Sequence, residues 1–129
     1  MTRARALLVF CACALLAGCR GERVPNGGWG GDHVLLTVTD NGGRVEFNCA
    51  HGTLDHPLRL DDEGRFNVVG TFAPEHAGPV LQPEESRPAR YAGRIDRDKI
   101  EFTVTLEGQT GRGPYTVALA KKTKLEKCR

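Results

Sequence analysis

The sequence predicts an all-β fold: a small antiparallel meander of seven or eight strands, closed or nearly closed into a barrel. From His33 onward, apolar residues recur at every second position, which is the period of a strand with one buried face. Turns of hairpin length separate these runs, and Asn41-Gly42 is the strongest short hairpin signal among them. After the leader, no stretch of useful length keeps the 3.6-residue period of an amphipathic helix. A two-sheet sandwich is the alternative. Closure is preferred because it removes exposed strand edges without needing a helix to cover them.

The elements follow in order. Val34, Leu36 and Val38 share one face, and a hairpin over Thr39 to Gly43 returns the chain through Val45, Phe47 and Cys49, expected inward, with Arg44, Glu46 and Asn48 outward. Ala50-His51-Gly52 is expected to turn the chain. Leu54, His56, Leu58 and Leu60 then fall on one parity, with Pro57 marking an edge, a bulge or a strand start. The polar turn Asp61-Asp62-Glu63-Gly64 leads to Phe66, Val68, Gly70 and Phe72. Alternation then lapses from Ala73 through Pro88, where Pro74, Pro79, Pro83 and Gly78 argue for a long loop or flap, a length that in compact domains often carries function. It resumes with Tyr91, Gly93 and Ile95, turns over Asp96-Arg97-Asp98, and returns through Ile100, Phe102, Val104 and Leu106. A glycine-rich connection leads to Tyr115, Val117 and Leu119, and a lysine-rich end reaches Cys128. The strand order and the Tyr-x-Gly-x-Ile, hairpin, Ile-x-Phe-x-Val rhythm over 91–104 resemble the small lipocalin and avidin-like barrels. That resemblance concerns the fold alone and carries over no site residue.

The leader is a separate matter. Arg3 and Arg5 form a basic start, and Ala6 through Leu16 is an apolar run of 11 residues, too short for a lasting transmembrane helix. It closes with Leu16-Ala17-Gly18-Cys19, which resembles the lipobox of bacterial lipoproteins. The resemblance implies cleavage before Cys19, a diacylglycerol thioether on its sulfur, and usually an acylated amine, so that the protein is tethered to a membrane of the cell envelope outside the cytoplasm. Two or three acyl chains hold firmly, since each buried methylene contributes about 0.8 kcal/mol. An ordinary secretory leader cut after Ala12-Cys13-Ala14 is the alternative, and it would leave a very short apolar run. The expected organisation is a signal peptide over 1–18, the lipidated Cys19 with a flexible glycine-rich tether over 19–32, and the barrel over 33–129.

Removing the leader changes two readings. The 18 basic residues fall to 16 against 16 acidic ones, so the mature chain is formally near neutral and its charge gives no ground for a nucleic-acid partner. Cys11 and Cys13 depart, Cys19 is taken by lipid, and Cys49 and Cys128 remain as an even pair in an oxidising compartment. A disulfide between them is expected. A metal thiolate pair or a free nucleophile would need partners that neither cysteine has nearby in sequence.

No constellation points to catalysis, a metal or a cofactor. Cys49-x-His51 lacks the further ligands that a structural zinc needs. Asp55 and His56 are adjacent, so on a strand they point to opposite faces, and His56 reads as a core histidine. The only serine, Ser86, has no Gly-x-Ser-x-Gly elbow around it. Gly108 to Gly113 lacks the Lys-Ser or Lys-Thr of a phosphate loop. Parity instead suggests an interior pocket of Trp29, His56, Val68, Gly70, Phe72, Tyr91, Gly93 and Ile95, where two missing side chains leave room. Against this stands Trp29 as a plug filling the same space. The functional expectation is therefore a non-enzymatic envelope protein that binds a small apolar ligand, a glycan or an envelope protein. The alternative is a structural or assembly lipoprotein working through its outer surface, and a metal-dependent or hydrolytic enzyme is the least supported.

Overall fold

A computed structural model describes residues 22–75 and 85–128. Within them the chain forms eight strands and no helix: β1 (Gly27–Gly31), β2 (Val34–Thr39), β3 (Gly42–Phe47), β4 (Ala50–Leu54), β5 (Arg65–Pro74), β6 (Arg87–Asp96), β7 (Lys99–Leu106) and β8 (Arg112–Leu119). Each pairs antiparallel with the next, and β8 returns to β1, closing the barrel. The seam is short, with Trp29 opposite Leu119 and Gly30 opposite Ala118. Residues 1–21, with Cys19 among them, lie outside the described residues.

Tight turns set the register. Gly31 pairs with Val34, Thr39 with Gly42, Phe47 with Ala50, and Asp96 with Lys99, so four hairpins close over two residues each. His33 and Arg97 take positive φ in two of these turns (61° and 59°), a conformation common in two-residue hairpins. The first long hairpin turns on Asp40-Asn41, one residue earlier than Asn-Gly suggests, and Gly42 opens the return strand. A Cβ at Gly42 would run into the Leu54 carbonyl of the neighbouring strand.

Four expectations are corrected. The segment expected to be a tether is structured: Gly27–Gly31 is β1, paired along its whole length with β2, and Val24 is buried. Glycine-rich composition there serves close approach, since a Cβ on Gly30 would meet Lys121 and Thr123 and one on Gly31 would meet Thr116. Ala50-His51-Gly52 is strand, and the turn falls on Asn48-Cys49, which leaves Cys49 exposed at the barrel end. His56 is also exposed. Strand β4 stops at Leu54, ahead of Pro57, and the chain then crosses the barrel end with Leu58 buried. Here it meets the start of the domain, as Val24 N–H donates to Leu58 (3.0 Å), Leu60 N–H donates to Glu22 (2.7 Å), and Arg23 bridges Arg59.

The long loop is shorter than the proline spacing suggests. Ala73 and Pro74 extend β5, while Arg87 and Pro88 open β6; the centre of the loop, 76–84, lies outside the described residues.

After β8 the chain doubles back as a strap. Ala120 N–H donates to Gly28, Thr123 Oγ1 to Val34, and Glu126 N–H to the Asn48 side chain. A disulfide then joins Cys128 to Cys49, with Cα atoms 5.2 Å apart. Lys127 Nζ donates to the Phe47 carbonyl (2.8 Å) and to Glu75 Oε2 (3.0 Å), which also contacts His51 Nδ1 at 3.0 Å. Burial works against a charge on Glu75, but hydrogen bonds from Lys127 and His51 outweigh it and hold the carboxyl below its ordinary range.

Candidate functional site

The interior comes first, because parity places the expected pocket there. Trp29, Val68, Phe72 and Tyr91 all belong to one buried cluster, and Ile95 packs against it. Trp29 is fully buried, with its indole N–H donating to the Pro25 carbonyl (3.0 Å). Gly70 and Gly93 sit at inward positions as expected, yet no room remains beside them. A Cβ on Gly70 would collide with the Thr53 carbonyl, and one on Gly93 would lie 2.7 Å from both Phe102 and Phe66. The two glycines allow close backbone and ring approach, which is the other meaning of glycine in a strand. His56 does not join this group. Seven of the eight pocket residues are therefore brought together, but as filled core.

Tyr91 and the aromatic rings complete the filling. The Tyr91 hydroxyl donates to the Thr71 carbonyl (2.6 Å), and burial pushes its phenol well above the ordinary range, so it is a fixed donor and not an acid. Phe102 and Tyr115 follow with centroids 5.4 Å apart, Tyr115 and Phe47 with 4.9 Å, and Arg112 lies over Phe72 at 4.9 Å.

The concave surfaces are on the outside. An open recess of about 1120 Å³ lies beside the crossing segment at Arg59, lined mostly by outward residues of β5 to β8 and also by Phe66, Gly93, Ile100 and Phe102 of the inward set. Its floor holds short side chains, Ala92 of β6 opposite Thr103 of β7, and its rim holds Arg59, Arg65, Arg94 and Lys99. Short residues in the middle of a twisted sheet with long ones around them make a hollow without opening the barrel. Of these four cations only Arg65 forms an ion pair among the described residues, while Arg94 and Lys99 have acidic residues opposite them in the sheet. Asp61 accepts backbone hydrogen bonds from Arg65 and Glu63, which lower its pKa, and it also pairs with the Arg65 guanidinium at 3.3 Å. Glu101 stands opposite Arg94, and Asp96 opposite Lys99, in the register of β6 and β7.

A second recess of about 360 Å³ shares Arg59 and Asn67 with the first and adds His56, Pro57, Val69 and Arg90. No carboxylate lines it. Arg90 Nη1 donates to Asn67 Oδ1 across β5 and β6 (2.7 Å), so a neutral amide positions the guanidinium and leaves its charge and remaining donors available. Val69, 39% exposed, adds an apolar edge. Sequence reasoning passed over Arg59, Asn67 and Arg90 because it searched the inward parity. The readable signal was Arg90-x-Ala92-x-Arg94, two arginines flanking a small residue on one outward face.

Among the described residues, no group of three or more histidine, cysteine, aspartate or glutamate side chains could hold a metal ion. The chain matches no protein-family model, no curated protein and no solved structure.

Proposed function

We propose that this chain is a lipid-anchored barrel of the bacterial cell envelope, which binds its partner through the outer face of β5 to β8 and carries out no chemical step. The observation that carries the reading is the contrast between the two sides of one sheet. Inward positions of β5 to β7 are occupied by Phe66, Val68, Phe72, Tyr91 and Phe102, all buried, while the outward side of the same strands is hollow and charged. An apolar ligand needs a lined cavity, and here Gly70 and Gly93, the positions with least side chain, are already filled. Small-ligand binding in the interior is thus the weaker form of the binding hypothesis. The anchor rests on the lipobox resemblance at Leu16-Ala17-Gly18-Cys19.

Native mass spectrometry on the protein solubilised from its own envelope tests the reading. The expected result is an acylated Cys19 and a lipid or macromolecular partner that is lost when outer-face residues such as Arg94 are replaced. A small apolar molecule retained by the barrel, and insensitive to those replacements, would overturn it. Processing and membrane retention of a Cys19→Ala protein test the anchor separately: normal behaviour of that variant would remove the lipoprotein part of the proposal.

A further inference from the structure

We infer that the carboxylate-free recess at Arg59 and Arg90 faces the membrane and binds the phosphates of anionic phospholipid headgroups, so that the barrel lies down on the bilayer that its anchor enters. The inference deepens the outer-face reading and rests on the lipidation of Cys19 for its orientation. Two independent observations carry it.

The first is the chemistry of the recess. Arg59, Arg90 and His56 line it with no acidic side chain between them. Arg90 is positioned by the neutral Asn67, 2.7 Å away, and Arg59 forms no ion pair among the described residues. Asp55, the chain neighbour of His56, accepts a hydrogen bond from Thr53 Oγ1 at 2.8 Å. A guanidinium suits a phosphate because its planar fork donates two parallel hydrogen bonds. Beside it, exposed Val69 and half-buried Pro57 supply apolar surface of the kind that sits well at the level of lipid headgroups.

The second is the position of the recess relative to the anchor. Arg59 lies on the segment tied to the start of the described chain, through Leu60 N–H to Glu22, Val24 N–H to Leu58 and the Arg23–Arg59 bridge. Glu22 is three residues beyond Cys19, a reach of at most about 11 Å even for extended chain. A long tether would place no useful bound on that distance, whereas three residues do. The anchor therefore keeps the start of the Arg59 ladder within about 11 Å of the point where the acyl chains enter the bilayer, a distance of the same order as the Debye length of about 8 Å at physiological salt, so that an anionic leaflet still attracts arginine there.

Flotation of the mature chain with Cys19→Ser isolates this surface from the acyl chains, and the barrel suffices for the purpose because every core residue among the described ones lies between Val24 and Val117. Vesicles of phosphatidylcholine mixed with phosphatidylglycerol should carry the protein upward, and vesicles of phosphatidylcholine alone should not, with binding weakened by added salt. Arg59→Ala and Arg90→Ala should each weaken partitioning about fivefold, the ratio corresponding to about 1 kcal/mol per arginine near a charged bilayer. Lys122→Ala, on the lysine-rich strap, should leave it unchanged. Equal binding to both vesicle types, arginine variants that float like the parent, or tighter binding to a soluble polyanion such as dextran sulfate would each overturn the assignment. Because no thiol at position 19 takes part, failure here leaves the anchor standing, and failure of lipidation in cells leaves the vesicle result standing.

Discussion

The hydroxyl of Tyr91 occupies the place that a Cβ on Gly52 would fill. From there it donates to the Thr71 carbonyl at 2.6 Å, so one missing methyl on β4 lets a phenol on β6 bond a main-chain carbonyl on the strand between them. Gly52→Ala should therefore lower stability by about 1 to 3 kcal/mol, the usual cost of forcing an extra carbon into a packed core. Tyr91→Phe, which removes only the donor, should cost about 0.5 to 1.5 kcal/mol. Denaturant titrations of the two variants check the order; a Gly52→Ala protein as stable as the parent would mean that β4 yields without strain.

Gly70→Val and Gly93→Val test the filled interior. Each would place a branched side chain against backbone or rings already in contact, so each should destabilise by at least about 1 to 3 kcal/mol. Melting curves supply the measurement. Two variants that melt like the parent would show that space exists at these positions and would restore an interior pocket.

The strap supplies a third prediction. Cys49 and Cys128 are bonded across a separation of 79 residues, and replacing either with serine should cost about 2 to 5 kcal/mol. In the unmodified protein, thiol labelling under denaturing, non-reducing conditions should find neither cysteine free. Labelling of both would mean that the strap is held only by its hydrogen bonds.

Glu75 makes part of the strap sensitive to acid. Its folded pKa is depressed below the ordinary 4.5, as Lys127 and His51 outweigh the effect of burial. Its contribution to stability is thus fully present above that ordinary value and is lost as pH falls through the lower, folded one. The parent should lose more stability than Glu75→Gln on acidification below about 4.5, and the two stability curves should converge at the acid end. Parallel curves would remove the assignment.

The alternation of Val34, Leu36, Val38, Val45 and Phe47, and again of Ile100, Phe102, Val104 and Leu106, determined the strands, their inward faces and the all-β class. A period of two needs only neighbours in the chain to be read. The cysteine pair was legible for a similar reason, since counting left Cys49 and Cys128 as the even remainder. What the tertiary structure alone decided depends on atoms far apart in sequence. Gly27–Gly31 looks like linker until β2 and β8 are placed on either side of it. His56 shares the parity of Leu54 and Leu58, but the chain leaves the sheet ahead of Pro57 and parity stops meaning anything there. Gly70 and Gly93 read as vacancies along their own strands, whereas the space belongs to Thr53 in one case and to Phe66 and Phe102 in the other. The outer recess needs Arg59 from one crossing and Arg90 from a strand thirty-one residues later to meet beside Asn67. Pattern along the chain reports which way a side chain points, and only closure of the barrel reports what it finds when it arrives.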